Sequence, residues 1–142
     1  MAEEPKAVVR RFWDEIWNHR NPAAADKLMA EDYVFDTPTL GRQSGRAQTL
    51  AVVAEIRSAF PDMSLEILEM IAEGGTVVTH WRTTATHRGS YRGVVPTGQQ
   101  VTWSGLALHR VVDGRIVEQL SFPDTRAPGG PHDIACRKPL AD

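Results

Sequence analysis

One hairpin, ending in an acid, constrains this chain most. From Trp103 to Asp124 the sequence reads WSGLALHRVVDGRIVEQLSFPD. Two strand-like runs flank Val112-Asp113-Gly114-Arg115. Asp-Gly is a strong hairpin signal, because both central positions of the tight turn need positive φ. The second strand runs through apolar Leu120 and Phe122 into Pro123 and Asp124. Proline cannot donate to a sheet ladder, so it marks an edge or a bulge. Such a place can aim an acid inward, off the regular alternation. A carboxylate among Phe, Leu and Trp is costly to ionise, and its pKa is expected to rise into the range useful for proton transfer. Asp124 is therefore the first candidate for chemistry. The competing reading is a solvated acid after a strand end, since exposed acids are the rule.

The chain has 142 residues, a length that predicts one domain able to bury a core without disulfides or metals. A formal net charge of −2 gives no electrostatic footprint for nucleic acid or an anionic membrane. Cys136 is the one cysteine, so no intrachain disulfide can form, as fits a reducing compartment. The acidic MAEEPK start does not read as a signal peptide, and no apolar run approaches the roughly 20 residues that cross a bilayer. A cytoplasmic setting is expected.

Helical periodicity comes first. Val9, Phe12, Trp13, Ile16 and Trp17 form one stripe between Pro5 and Asn18. Asn21-Pro22 predicts a short second helix over 23–30. A strand is expected over 32–37, a loop over 38–45 and a third helix over 46–60. From Met63 the period becomes two, which predicts strands over 63–73, 76–86, 100–111 and 115–122. Between them, 87–99 reads as a connection with a short strand near Tyr91. Helices followed by a run of antiparallel strands give an α+β class, with helices on one face of a curved sheet. The domain is expected over 1–125. Residues 126–142 are rich in Pro and Gly and read as an extended, irregular arm.

Several segments, in order, resemble the SnoaL-like polyketide cyclase family of the nuclear-transport-factor-2-like superfamily. They are RRFWDEIWN (10–18), EDYVFDTP (31–38), AFPD (59–62), WRTTATHRG (81–89), VVPTGQQV (94–101) and HRVVDGRIVEQLSFPD (109–124). The resemblance spans about Val8 to Thr125. It implies a cone-shaped α+β barrel: a strongly curved antiparallel sheet on three N-terminal helices, around a deep pocket. It also implies homodimers that work without metal or organic cofactor. Asp124 matches the family's catalytic aspartate, a general acid/base in an intramolecular aldol ring closure of a small apolar or aromatic polyketide-like substrate.

Other candidates are weighed beside it. Asp36 stands near a position where members carry a polar pocket residue; otherwise it caps the loop at Pro38. His80 and Arg82 share a face of their strand with Val78 and Thr84. That face is either toward the pocket, with His80 catalytic and Arg82 binding substrate, or a surface stripe. His109 lies two residues along from the family's pocket histidine position, here Ala107. It shares a face with Trp103 and Gly105, small enough to leave room for a ligand, or is a satisfied core histidine. Trp103, Phe35, Leu120 and Phe122 are expected as pocket or core walls. His87 is expected to be structural, and His132 and Cys136 in the arm are not expected to bind metal. No phosphate-binding glycine loop, dinucleotide fingerprint or GxSxG elbow is present. Three functions stay open: ring closure, epoxide opening with Asp124 and Asp36 dividing acid and base roles, and noncatalytic ligand binding.

Overall fold

The computed structural model describes residues 4–137. Helix α1 (Pro5–Phe12) begins with proline at its first position and continues as one wide π turn, Trp13–Asn18. A 3-10 turn at Pro22–Ala24 leads into the short α2 (Ala25–Leu28). Strands β1 (Met29–Thr37) and β2 (Gly41–Ser44) precede α3 (Arg46–Ala59). Four long strands follow: β3 (Ser64–Glu73), β4 (Thr76–Thr86), β5 (Gln100–Val112) and β6 (Arg115–Pro123). Helix α4 (Pro131–Arg137) closes the described chain.

The strands form one sheet in the order β2-β1-β6-β5-β4-β3. Neighbours are antiparallel except β1 and β6, which run parallel with Phe35 opposite Gln119. The expected hairpin joins β5 to β6, and Asp113 (φ 51°) and Gly114 (φ 81°) supply its two positive φ angles. Pro123 lies opposite Gly105 of β5, beyond the last β1 pairing at Leu120. With no further neighbour on the β1 side, its missing N–H leaves no ladder bond unmade.

Helix α1 touches β3, β4, β5 and β6 in turn, as it can only where the sheet curls around it. Val8, Val9 and Phe12 are fully buried there. The π turn then brings Trp13, Ile16 and Trp17 to the same side. Its end is tied down by Asn18. The Asn18 amide donates to the Leu65 carbonyl at 3.0 Å and accepts from the Leu65 N–H at 2.8 Å, as a neighbouring strand would.

Two expectations about architecture need correction. The third helix follows a strand, as the order of segments predicts, so α1 and α2 alone precede the sheet rather than the three helices the resemblance implies; and the 38–45 segment, expected as loop, contains strand β2. The arm is not irregular throughout, since Pro131–Arg137 is helical with Ile134 and Ala135 buried. Apolar side chains four and fewer residues apart are too few to announce a helix of seven. Positions 138–142 of the expected arm lie outside the described residues. No described helix is long and apolar enough to cross a membrane.

Candidate functional site

Between the concave face of the sheet and the helices lies a cavity with about 40 Å³ of free room. That suffices for a few water molecules. Its apolar walls include Trp13, Trp17, Phe35, Leu65, Trp81 and Trp103. Its polar groups are Thr83, Gln119, Ser121 and His132. Strand alternation explains the set. In β4, Thr79, Trp81 and Thr83 face in; in β5, Trp103, Gly105, Ala107 and His109 do; in β6, Gln119 and Ser121 do. The indole N–H groups of Trp17 and Trp81 are buried without a hydrogen-bond partner among the described residues.

A directed hydrogen-bond chain reaches this wall. Burial keeps the Tyr33 phenol well above its ordinary pKa, so the hydroxyl stays protonated. It donates to Gln119 Oε1. The Gln119 amide donates in turn from Nε2 to Ser121 Oγ at 2.9 Å. Because Ser121 accepts, its own O–H is left to donate elsewhere, and Ser121 lines the cavity. Each donor in such a chain polarises the next.

His109 is fully buried, edge-on to the rings of Phe12 and Trp13. Burial lowers its pKa to about 3, partly opposed by the Gln119 side chain. Neither ring nitrogen makes a hydrogen bond of good geometry. His109 is therefore a neutral imidazole of the core beside Gln119: of the two readings considered from sequence, the core position is the one found and the pocket position is not. The room expected beside Gly105 is filled by Trp81: a Cβ on Gly105 would stand 2.7 Å from Trp81 Cζ2.

His132 comes from α4. It is 8% exposed, and its Nδ1 lies 3.0 Å from Thr39 Oγ1 in the β1–β2 turn. Burial lowers its pKa to about 4, so the ring is neutral at pH 7.

Of the residues selected from sequence, Phe35 and Trp103 line the cavity. The others do not. Asp124 is the main correction. Its carboxylate is on the surface, held by the Arg126 guanidinium through two 2.9 Å hydrogen bonds, with a third from the Arg126 backbone N–H. These contacts lower its pKa to about 2, opposite to the expected rise. Pro123 does not turn the acid inward; it simply ends the strand. Asp36 faces away from the cavity, between inward Phe35 and Thr37, with Arg42 at 4.0 Å. With both carboxylates outside, they cannot divide acid and base roles in epoxide opening there. His80 and Arg82 lie on the outer face of β4, and Arg82 pairs with Glu66 at 2.7 Å. Leu120 and Phe122 are also on the outer face, and Phe122 is 57% exposed. His87 stacks on Phe60 with ring centres 5.0 Å apart, a structural position.

Sequence reading missed Gln119, Ser121, Thr83 and His132 as cavity residues. Gln119 and Ser121 alternate with the apolar pair Leu120 and Phe122, and hydrophobicity selects the wrong member of each pair. A bulge between Arg110 and Val111 shifts the hairpin register by one, so that His109 stands opposite Gln119 and Ala107 opposite Ser121. The unshifted register of the Asp113-Gly114 turn would set Glu118 and Leu120 inward instead, and no local pattern announces the bulge.

The class defined by this fold and cavity is the nuclear-transport-factor-2-like α+β cone. The chain belongs to the SnoaL-like polyketide cyclase family, whose model matches residues 7–128. Among solved structures, a candidate SnoaL-like polyketide cyclase from Jannaschia sp. CCS1 is 25% identical, with TM-score 0.78 over 84% of this chain and 85% of that one. IdmH of Streptomyces antibioticus, described as a candidate polyketide cyclase, is 26% identical, with TM-score 0.78 over 87% and 94%. A candidate polyketide cyclase from Acidithiobacillus ferrooxidans is 26% identical, with TM-score 0.76 over 97% and 98%. No curated protein matches the chain. The family and these neighbours support a cyclase-like enzyme.

Proposed function

We propose that this protein closes a ring within a small, flat, apolar carbonyl compound of polyketide type, by an aldol reaction and without a cofactor. The observation that carries the reading is the chain Tyr33–Gln119–Ser121, which delivers one hydroxyl donor to the wall of an aromatic cavity. A base in the cavity takes the proton from a carbon α to a carbonyl, and the electrons move onto the carbonyl oxygen. Ser121 O–H donates to that oxygen as it gains charge, where a fixed donor in a dry site acts most strongly. The enolate carbon then attacks a second carbonyl of the same molecule, and the group that took the proton returns it to the alkoxide formed when the ring closes. Trp13, Trp81 and Trp103 hold the reacting ends together, which raises their effective concentration. Atoms are rearranged within one molecule, so neither oxidant nor reductant enters. The neighbours described as polyketide cyclases supply the substrate class.

The test is turnover of a panel of aromatic 1,3-diketones bearing a third ketone, with products weighed by mass spectrometry in ¹⁸O-labelled water. A cyclised product of unchanged mass, or lighter by one water, is expected. Ser121→Ala should lower kcat by about 10²-fold with little change in KM. A label-bearing product from an epoxide panel would favour hydrolysis instead. Ligand binding without any product would favour a noncatalytic domain.

A further inference from the structure

Ring closure needs a group that takes and returns a proton, and among the side chains lining the cavity His132 is the one whose side chain, an imidazole, can do both. It sits on α4, beyond the 7–128 stretch matched by the family model. Its Nδ1 is engaged by Thr39 Oγ1, while Nε2 makes no hydrogen bond among the described residues. Trp81 packs near it, with ring centres 6.5 Å apart. No salt bridge reaches it among the described residues. The one acid that sequence singled out for this role is turned to solvent and clasped by Arg126.

We propose that His132 is the catalytic acid/base of this cavity and that Thr39 is its positioning residue. The assignment rests on the ring-closure reading above. With its proton on Nδ1 and donated to Thr39, the imidazole presents Nε2 as a lone pair. Nε2 takes the proton from the carbon α to the carbonyl, and the C–H electrons pass to the oxygen held by Ser121. The new carbon–carbon bond turns the second carbonyl into an alkoxide. That alkoxide takes the proton back from Nε2, and the histidine ends neutral. The walls leave the imidazole unprotonated at pH 7, since burial is what lowers its pKa. The enolate formed beside it favours the imidazolium during reaction.

The free room of about 40 Å³ is too small for a bicyclic substrate. Helix α4 is the wall best suited to move. It follows Gly129, at φ 78°, and Gly130, and it is only seven residues long. A substrate of that size therefore requires α4 to swing outward on entry for His132 to meet it. This chain would thus take its proton-transfer group from α4 rather than from the last strand.

The test uses 2-indanone, a flat aromatic ketone with acidic α-hydrogens, and follows uptake of deuterium from D₂O by NMR. Wild-type protein should speed exchange above buffer. Asp124→Asn should exchange at the wild-type rate, and His132→Gln should lose about 10²-fold or more. Thr39→Val should shift the acid limb of the pH–rate profile. In wild-type protein that limb should coincide with the His132 titration followed by ¹⁵N NMR, a comparison that needs no variant to fold. Exchange that persists in His132→Gln, or a limb that departs from the titration, overturns the assignment to His132 alone. Wild-type protein that gives no exchange overturns the ring-closure reading and this assignment with it.

Discussion

The Arg126 guanidinium grips both carboxylate oxygens of Asp124, Nε on Oδ1 and Nη2 on Oδ2, each at 2.9 Å. The pair is local and faces water, so it organises the chain leaving β6 rather than a cavity. Exposed ion pairs of this kind contribute little to stability. Asp124→Asn is therefore expected to leave the thermal midpoint within about 2 °C of wild type. It should also keep most turnover. A drop of about a hundredfold in kcat for a folded Asn variant would return the acid to the mechanism.

Tyr33→Phe removes the first donor of the buried chain. Gln119 Oε1 would lose its partner in a site that is 1% exposed. A buried acceptor left unpaired costs about 1–3 kcal/mol, which denaturant unfolding can resolve. Turnover should fall as well, because the amide that orients Ser121 is no longer anchored. A variant as stable as wild type would mean that water or a rotated amide replaces the phenol.

Gly105→Ala probes the shape of the cavity. Its Cβ would meet Trp81 Cζ2 at 2.7 Å, Pro123 Cα at 2.8 Å and the Phe122 carbonyl oxygen at 2.9 Å. Two of these are backbone atoms of β6, which a moving indole does not relieve, so the indole must give way and β5 and β6 must part locally as well. Overpacking of this kind costs about 1–3 kcal/mol. Trp81 fluorescence and ligand affinity should change together; an unchanged spectrum would place the strain elsewhere.

Two buried histidines predict the acid behaviour. The ordinary pKa of 6.5 falls to about 3 for His109 and about 4 for His132. Below pH 6.5 the unfolded chain binds protons that the folded chain refuses, so stability is full above that pH and falls as pH drops. Each histidine adds a slope of about 1.4 kcal/mol per pH unit. His132 has a cheaper escape, since release of α4 hydrates it without unfolding the sheet. Acid should therefore perturb tryptophan fluorescence before far-UV dichroism. Simultaneous loss of both signals would show that α4 does not separate from the body.

The outer face of β5 and β6 carries Leu106, 49% exposed, opposite Phe122, 57% exposed. We propose that the homodimer expected from the family resemblance covers this apolar strip. Sedimentation should then give a dimer for wild type and a monomer for Phe122→Glu. A monomeric wild type would dismiss it.

The strands were legible because their periodicity is strong, and β4 has the bounds read from sequence. Which face points inward was not legible. In β4, Thr79 and Thr83 are buried while Val78 lies on the outer side, so polarity does not mark the core. In β6 the usual rule is inverted, with Gln119 and Ser121 inside and Phe122 outside. Local rules tend to fail at sites kept for function. The π turn at Trp13–Asn18 looks like any amphipathic helix in sequence, since its apolar spacing still fits three and four. The cover formed by α4 depends on a return of the chain across the cavity, which no local pattern encodes.

The parallel pairing of β1 with β6 also governs how the chain is made. Tyr33 waits for Gln119, 86 positions later. A ribosome will have released most of the polypeptide before the first strand can find its long-range neighbour, and such distant closures are slow. Until then β1 presents a bare edge to the cell, where holding chaperones would find their natural target.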